Sequence, residues 1–330
     1  MHSSSSVSDT YPITTTEKRT DFFIAGNSKS GTSALYFFLN QHPELCMSSP
    51  KEPNFFATDF CHDQNVGAFT RKSAETYHGY FDDPSGKKLR GEASACYLYS
   101  SEAAANIAAY NSDAKLIVIF REPVSFLHSY HLQQLKNPIS EGEDVKDFET
   151  ALALEEERRK GRSIPDGCLI PELLYYTERI KYADHLEQLY EHFPKEQVCV
   201  LLFEDFKDDN EATYNEILDF LEVAPDFEPE FRTHNKGQKL KSKTAQRLLH
   251  QFSHGHGLWA TPKKVVKFLF PKSVRQLFMQ AALRTVVFGP KDEVPPDLSN
   301  RLKRQFRPEV ARLGKLISRD IISRWGYDKL

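Results

Sequence analysis

A short apolar run near the start of the sequence ends in glycine and leads into a small polar loop. The run DFFIAG covers residues 21–26, the loop NSKSGTS follows, and ALYFFLNQH then has the spacing and length of a helix. This order places free backbone N–H groups and the positive end of a helix dipole at the loop. The sequence therefore predicts an anion-binding turn between a buried strand and a helix.

Two further apolar runs, at residues 114–120 and 197–203, are each followed by a predicted helix. Continuous apolar runs separated by helices indicate strands that are buried on both faces of a parallel sheet. The predicted fold class is α/β, with a three-layer, P-loop-like parallel β-sheet flanked by helices and a helical C-terminal extension. The predicted boundaries are a disordered leader at 1–20, an α/β domain at 21–254 and a basic helical region at 255–330 that packs on the same domain.

Three other stretches carry structural predictions. Residues 171–192 are periodic enough for a long helix, and residues 296–325 have the apolar face of a final helical region. Residues 135–170 are polar, charged and rich in Gly and Pro, so we expect an excursion near the acceptor side rather than part of the core.

The loop Gly26–Ser33, GNSKSGTS, keeps the glycine spacing of the nucleotide triphosphatase loop GxxxxGK but not the position of its lysine. The residue after the second glycine is Thr32, and the lysine lies inside the loop at Lys29. A lysine after the second glycine reaches the β and γ phosphates of a nucleotide, and the next hydroxyl holds magnesium. A lysine in the middle of the loop instead faces a single phosphate and its leaving bridging oxygen. The sequence therefore predicts a site that needs neither a triphosphate nor a metal ion.

A second polar segment, REPVSFLHS, directly follows the apolar run at 114–120. If the residues from Val124 onward are helical, Arg121 at the strand end and the hydroxyl of Ser129 about two turns later can converge on one additional phosphate. By itself this pattern is weak evidence, because an arginine at a strand end is often a surface ion-pair partner.

Together the two segments resemble the sulfotransferases that use 3′-phosphoadenosine 5′-phosphosulfate (PAPS), particularly the bacterial members and the heparan sulfate branch. The family's phosphosulfate loop, KxGT followed by Ser or Thr, matches Lys29–Ser33, and its arginine and serine eight residues apart match Arg121 and Ser129. KEPNFF at 51–56 and GEASACYL at 91–98 are similar to two further family segments. Four motifs in the family's order are far more specific than any one of them.

The resemblance implies a PAPS-dependent sulfotransferase, with PAPS as the cofactor and adenosine 3′,5′-bisphosphate as its product. It implies that Glu52 is the general base, as in the heparan sulfate branch, whereas without the family context an ion pair with Lys51 or a solvated loop carboxylate is favoured. His128 and His131 are alternative bases, since another sulfotransferase branch uses histidine, although a structural role is the simpler expectation for each. No metal ligand is implied.

The late basic loop HNKGQKLKS occupies the place where family members cover the cofactor, so Lys236 is a candidate beside Lys239 and Lys241. The implied catalytic residues are Lys29 and Glu52, and the implied cofactor-binding residues are Lys29, Ser30, Gly31, Thr32, Ser33, Arg121, Ser129, Lys239 and Lys241.

One position departs from the heparan sulfate enzymes, which carry a lysine after the glutamate of the GEASACYL-like motif. This chain has Ala93 after Glu92. The departure weakens the case for a sulfated glycan as the acceptor. The expected partner is a small-molecule, glycan or lipid-like acceptor that offers a hydroxyl or amine, and no nucleic acid is expected.

The net charge of −3 is the sum of two opposite parts. Residues 1–235 carry 22 basic and 40 acidic residues, a net charge of −18, whereas residues 236–330 carry 21 and 6, a net charge of +15. A basic region of this kind can attract an anion. Within it, Gly255–Gly289 mixes basic and aromatic residues. A pair of ordinary amphipathic helices is the simpler interpretation, and peripheral contact with an anionic membrane is the alternative.

The five cysteines are scattered without CxxC spacing and indicate neither a disulfide framework nor a zinc site. No run approaches the roughly 18 apolar residues needed to cross a bilayer, and the N-terminus lacks the apolar core of a signal peptide. These features predict a cytoplasmic protein.

Two other functions are weighed against sulfuryl transfer. A nucleotide kinase or triphosphatase needs a lysine at position 32, which is Thr32. A non-catalytic module that binds a nucleotide or an anionic surface would have no need of both Lys29 and Glu52.

Overall fold

The computed structural model contains a five-stranded, fully parallel sheet with the strand order β2-β3-β1-β4-β5. Its strands are β1 (Phe22–Ile24), β2 (Leu45–Met47), β3 (Leu89–Ala93), β4 (Lys115–Phe120) and β5 (Val198–Leu202). The predicted strands within residues 21–26, 114–120 and 197–203 are confirmed. The three-residue strand β2 was not predicted.

The structure describes residues 19–61, 69–81, 88–136, 142–166, 168–231, 238–240, 288–290 and 293–330. The chain divides into two compact units. The first comprises Met1–Leu127, Tyr175–His234 and Pro296–Leu330, and the second comprises His128–Leu174 and Asn235–Pro295.

The α-helices of the described residues are α1 (Thr32–Leu39), α2 (Ala74–His78), α3 (Ala103–Tyr110), α4 (Pro123–Gln134), α5 (Phe148–Ala153), α6 (Glu155–Arg159), α7 (Tyr182–Tyr190), α8 (Phe203–Asp208), α9 (Asn210–Leu221), α10 (Pro296–Ile317) and α11 (Ile321–Arg324). Short 3₁₀ helices cover Thr58–Phe60, Ala95–Leu98, Pro171–Leu174, Thr177–Ile180 and Lys195–Gln197.

Both faces of the sheet are buried in the first unit, which makes three layers. Phe22 and Ile24 belong to an apolar cluster that includes side chains of α1, α8 and α9. Phe23, between them, points to the opposite face and meets an aromatic cluster in which its ring lies 5.5 Å from that of Phe56. Alternate residues of one strand therefore fill two cores, as expected for a parallel sheet.

The C-terminal region of the first unit forms two helices rather than one. In α10 the buried face consists of Leu298, Leu302, Phe306, Val310 and Leu313. The helix ends before Ser318, whose φ of 55° is left-handed, and the Asp320 side chain then caps α11 by accepting a hydrogen bond from the Ser323 N–H. Since a left-handed residue interrupts the helical hydrogen bonds, the predicted helical region at 296–325 is divided.

The long helix predicted at 171–192 is wrong. Two 3₁₀ helices precede α7, which begins only at Tyr182. Arg179 is buried, and its guanidinium lies 3.7 Å from the centre of the Tyr99 ring. The helical periodicity of a local sequence does not reveal a contact of this kind between distant parts of the chain.

The described part of the stretch at 135–170, for which an excursion rather than part of the core is predicted, contains helices and buried side chains. Helices α5 and α6 lie within it, in the second unit. The Arg158 guanidinium donates two hydrogen bonds of 2.7 and 2.8 Å to the carboxylate of Glu143, and both side chains are fully buried. The mutual attraction and the two hydrogen bonds offset part of the cost of burying these charges. The second unit also contains two antiparallel strands, β6 (Gln238–Leu240) and β7 (Phe288–Pro290).

All five cysteines lie within the described residues and are free thiols. None of the helices described is long and apolar enough to cross a membrane. Residues 1–18 and 255–287 lie outside the described residues, so the expectations for a disordered leader and for a membrane contact stay predictions, as do the domain boundaries.

Candidate active site

The polar loops that carry the predicted site residues follow the carboxyl ends of parallel strands in the first unit. The phosphate loop follows β1, the KEPNFF segment comes after β2, and Arg121 comes directly after β4. Strands β3 and β4 lie on the two sides of β1. In open parallel sheets, ligands bind outside the carboxyl ends of the strands where connections leave in opposite directions.

The phosphate loop is shaped by two left-handed residues, Lys29 with φ 69° and Gly31 with φ 89°. Gly31 precedes the first residue of α1, and no side chain caps this helix end. The first helical hydrogen bond runs from the N–H of Leu35 to the carbonyl of Gly31, so the N–H groups of residues 32–34 have no acceptor within the helix. These amides are available to an anion.

The hydroxyl of Ser30 is an orphaned polar group in the same loop. Ser30 is fully buried, and its Oγ has no hydrogen-bond partner among the described residues. A buried hydroxyl without a partner is costly unless a ligand or water satisfies it. It therefore fits a loop that binds a phosphate.

Gly31 is required by space as well as by backbone conformation. A Cβ at this position would lie 2.9 Å from Cδ1 of Phe206, in α8. The loop is therefore packed directly against the helix that follows β5.

Arg121 is connected to the phosphate loop by its side chain. Its Nη1 donates a 2.6 Å hydrogen bond to the carbonyl of Lys29, and its Nε and Nη2 donate to Oγ of Ser125 at 3.2 and 2.7 Å. The guanidinium also lies over the Phe203 ring, 4.5 Å from its centre. None of these partners is a carboxylate, so the guanidinium is held in place without a direct ion pair.

The ammonium group of Lys29 lies in an unusual electrostatic environment. Burial lowers its pKa because water no longer stabilises the charge, and the nearby guanidinium of Arg121 lowers it further, whereas Glu52 raises it. Two cations and one carboxylate of the predicted site therefore interact in the first unit. A bound anion would relieve the repulsion between the cations.

Glu52 also occupies a strained position in its loop. Its φ is 61°, and its N–H donates a 3.0 Å hydrogen bond to the carbonyl of Ala93, at the end of β3. Oε1 accepts a 2.6 Å hydrogen bond from Nζ of Lys51, so the ion pair considered in the sequence is present. The side chain is 43% exposed, and Oε2 makes no hydrogen bond within the described part of the chain, which leaves one oxygen for an acceptor.

Behind Glu52, a buried hydrogen-bond network joins the KEPNFF and GEASACYL segments. The hydroxyl of Ser94 accepts a 3.0 Å hydrogen bond from the Asn54 N–H and donates one of 2.6 Å to Glu92 Oε1. The hydroxyl of Tyr77 donates to Oε2 of Glu92 at 2.8 Å. Burial raises the pKa of Glu92 to about 7, although its hydrogen bonds oppose this effect.

The other predicted site residues belong to the second unit or lie outside the described residues. Ser129 is a buried residue of α4 in the second unit, and the backbone of Lys239 lies in β6. Lys236 and Lys241 lie outside the described residues. His131 is buried, and its Nε2 lies 2.9 Å from the Val145 carbonyl, as expected for a structural histidine.

Two contacts of Arg121 were not predicted from the sequence. Ser125 lies one helical turn after Arg121, and this spacing could have identified it. Tyr182 donates a 2.9 Å hydrogen bond from its hydroxyl to the carbonyl of Arg121. Nothing in the local sequence indicates that second contact, because 61 residues separate the pair.

Comparison with known families agrees with this geometry. The family model "Sulfotransferase domain" matches residues 19–257, which include the phosphate loop, Glu52 and Arg121. The chain belongs to the sulfotransferase domain family. Sulfotransferases of this family use PAPS, so the predicted enzyme class and donor are confirmed, and a nucleotide kinase or triphosphatase is not favoured.

Relatives of this sulfotransferase include human bifunctional heparan sulfate N-deacetylase/N-sulfotransferase 3, which is 26% identical over 215 residues. These cover 64% of the chain and 23% of the human protein. The N-deacetylase/N-sulfotransferase 1 of Xenopus laevis is 29% identical over 191 residues, which cover 56% of the chain and 20% of that protein. The sulfotransferase chain thus spans about a fifth to a quarter of the length of these relatives.

A solved structure gives a similarity over almost the whole chain. The sulfotransferase of Alicyclobacillus acidocaldarius has a TM-score of 0.67 and 27% identity, covering 93% of this chain and 99% of that one. Together with the parallel sheet, this similarity confirms the predicted α/β fold.

Proposed function

We propose that Lys29, Glu52 and Arg121 carry out the transfer of a sulfuryl group from PAPS to a hydroxyl or amine of an acceptor. The observation that carries this assignment is the juxtaposition of Lys29 and Arg121 at the uncapped N-terminus of α1. Two cations, free amides and an unpartnered buried hydroxyl are suited to phosphate groups that need no metal ion.

The residues of the loop divide the binding of the donor among them. The amides of residues 32–34 and the hydroxyl of Ser30 hold the 5′-phosphate, with Thr32 and Ser33 at the helix end. Arg121 holds the 3′-phosphate. Ser129, Lys239 and Lys241 stay predicted contacts from the sequence. When bound, the donor supplies the sulfuryl group and leaves as adenosine 3′,5′-bisphosphate.

Glu52 and Lys29 act on opposite sides of the bond that changes. The proton of the acceptor hydroxyl or amine moves to the Glu52 carboxylate as the new bond to sulfur forms. Lys29 stabilises the negative charge that develops on the bridging oxygen of the leaving phosphate. The protein forms no covalent bond, so its contribution is positioning and a preorganised electrostatic field.

For the acceptor, we propose a glycan amine or hydroxyl. The support comes from the named heparan sulfate N-sulfotransferases, although Ala93 departs from the lysine of that branch. Lipid-like and small phenolic acceptors are the alternatives. The proposed location is the cytoplasm, which the five free thiols support.

The test combines binding and turnover in one preparation. Calorimetry with adenosine 3′,5′-bisphosphate measures the site, and PAPS labelled in its sulfuryl group is then offered with glycan, lipid and phenol acceptors. Binding with transfer to an acceptor supports the assignment. Binding without transfer to any acceptor in the panel favours a non-catalytic module. Tighter binding of ATP with magnesium than of the bisphosphate would contradict the proposed donor site.

A further inference from the structure

Two carboxylates, those of Glu122 and Glu204, lie beside Arg121. Glu122 is the next residue and accepts from the N–H of Ser125, whose Oγ accepts from the guanidinium, and Glu204 accepts from the N–H of Glu122. Both carboxylates raise the pKa of Arg121, against the larger lowering effect of burial. Within the described residues, neither is hydrogen-bonded to the guanidinium, whose bonds go to Ser125 and Lys29. A carboxylate beside an arginine ordinarily forms a bidentate pair with it. Other hydrogen-bond donors therefore hold both carboxylates.

The carboxylate of Glu122 is occupied by three donors. Oε1 accepts hydrogen bonds from the N–H of Val124 at 3.1 Å and from the hydroxyl of Tyr327 at 2.8 Å. Oε2 accepts from the N–H of Ser125 at 2.7 Å. The side chain thus caps the N-terminus of α4 and is held from outside by a residue near the C-terminus.

Glu204 is held in a similar way. Its Oε1 accepts a 3.2 Å hydrogen bond from the N–H of Glu122, and its Oε2 accepts one of 2.8 Å from the indole Nε1 of Trp325. One donor to each carboxylate therefore comes from the segment Trp325–Tyr327.

The segment itself is firmly anchored in the first unit. Trp325 and Tyr327 are 4% and 1% exposed. Nζ of Lys303, in α10, donates a 2.8 Å hydrogen bond to the carbonyl of Trp325. Arg324 pairs with Asp205 and Asp208, at the helix α8 that carries Glu204. The fold therefore preorganises the Trp325 indole and the Tyr327 hydroxyl as donors.

We propose that Trp325 and Tyr327 are positioning residues for the donor, because they keep the carboxylates of Glu204 and Glu122 from pairing with Arg121 and so leave its guanidinium available for the 3′-phosphate. The inference rests on the proposed role of Arg121. Without these donors, a carboxylate would compete with the phosphate for the same N–H groups.

Tyr327→Phe removes one donor and retains the ring, and Trp325→Phe removes the other donor and replaces the indole with a smaller aromatic ring. Calorimetry should show Kd for adenosine 3′,5′-bisphosphate raised about tenfold in each variant, whereas Kd for adenosine 5′-phosphate changes less than about twofold. Turnover at saturating PAPS stays near that of the wild type, so the defect appears in KM. Tyr214→Phe is the matched control, because its buried hydroxyl has no partner among the described residues. It should leave both affinities unchanged.

A rescue experiment separates charge competition from a packing defect. If Glu122 captures Arg121 in Tyr327→Phe, the double variant Tyr327→Phe/Glu122→Gln should recover most of the lost affinity for the bisphosphate. Failure to recover it, or an equal loss of affinity for both nucleotides, overturns the inference. Melting temperatures identify a variant that has failed to fold, in which case Trp325→Phe with Glu204→Gln provides the same comparison.

Arg121→Ala distinguishes failure of the inference from failure of the proposed function. It should weaken binding of the bisphosphate by roughly thirtyfold to several hundredfold and hardly affect adenosine 5′-phosphate. If it does so while Tyr327→Phe and Trp325→Phe bind normally, only the inference is wrong. If Arg121→Ala weakens both nucleotides equally, or neither, the proposed role of Arg121 is wrong as well.

Discussion

The guanidinium of Arg121 donates a hydrogen bond of 2.6 Å to the backbone carbonyl of Lys29, across a sequence separation of 92 residues. This bond joins the loop after β4 to the loop after β1. It also places a second positive charge near the Lys29 ammonium, which contributes to the lowered pKa of that lysine. The two loops therefore form one electrostatic unit whose repulsion a bound phosphate would relieve.

Replacing Lys29 with alanine should lower turnover by about two to three orders of magnitude, the scale expected for loss of one preorganised charge donor. The loop is polar, so the fold should survive. Steady-state kinetics at saturating PAPS measure the effect. Lys195→Ala is the control, since this exposed lysine precedes β5 at the opposite end of the strands and should be inert. Near-normal turnover of Lys29→Ala would remove Lys29 from the mechanism.

The sequence was sufficient for strands whose apolar runs are long, such as β4 and β5. It was also sufficient to place Lys29 in the loop after β1 and Arg121 directly after β4, whereas the roles of Lys29, Glu52 and Arg121 stay predictions. It was insufficient for β2, because the apolar run there is limited to Leu45–Met47, whereas β1, which also has three residues, lies within the longer apolar run at 21–26. The bond from Tyr327 to Glu122 spans 205 residues and depends on how α11 packs. Contacts of this length are decided by tertiary packing, which local patterns do not contain.

Glu52→Gln keeps the shape of the side chain and removes its basicity. Affinity for adenosine 3′,5′-bisphosphate should be unchanged, while turnover should fall about a hundredfold or more. Glu178→Gln is a suitable control, because Glu178 also pairs with a nearby lysine, Lys181 at 2.8 Å. An active Glu52→Gln enzyme, together with loss of turnover on substitution of His128 or His131, would assign the base to a histidine.

Gly31→Ala tests whether the shape of the phosphate loop controls donor binding. The φ of 89° and the approach of a new Cβ to within 2.9 Å of Phe206 both oppose the substitution. We expect the free energy of unfolding to fall by about 1–3 kcal/mol, and affinity for the bisphosphate to fall because the loop amides move. Urea unfolding and calorimetry measure the two effects.

Gly161→Ala supplies the matched comparison for this glycine. Its φ is 75°, and nothing lies within 4 Å of a Cβ built there. It should therefore show the cost of the left-handed conformation without the clash, at about 1 kcal/mol, and no change in affinity. Equal affinities of Gly31→Ala and the wild type would show that the packing against Phe206 does not shape the site.

The buried carboxyl of Glu92 should make the protein less stable as the pH rises. Its pKa is raised to about 7 in the folded state, from 4.5 ordinarily, so between these values the folded state holds a proton that the unfolded chain has released. The free energy of unfolding should therefore fall across this interval, by up to about 3 kcal/mol from this group. In Glu92→Gln the contribution is absent.

Urea unfolding at pH 5 and pH 8 should show that the wild type loses more stability than Glu92→Gln. Glu222→Gln is the control and should follow the wild type, because Glu222 is an exposed carboxylate whose pKa is lowered by Lys115. An equal loss of stability in Glu92→Gln and the wild type would mean that Glu92 does not titrate in this interval.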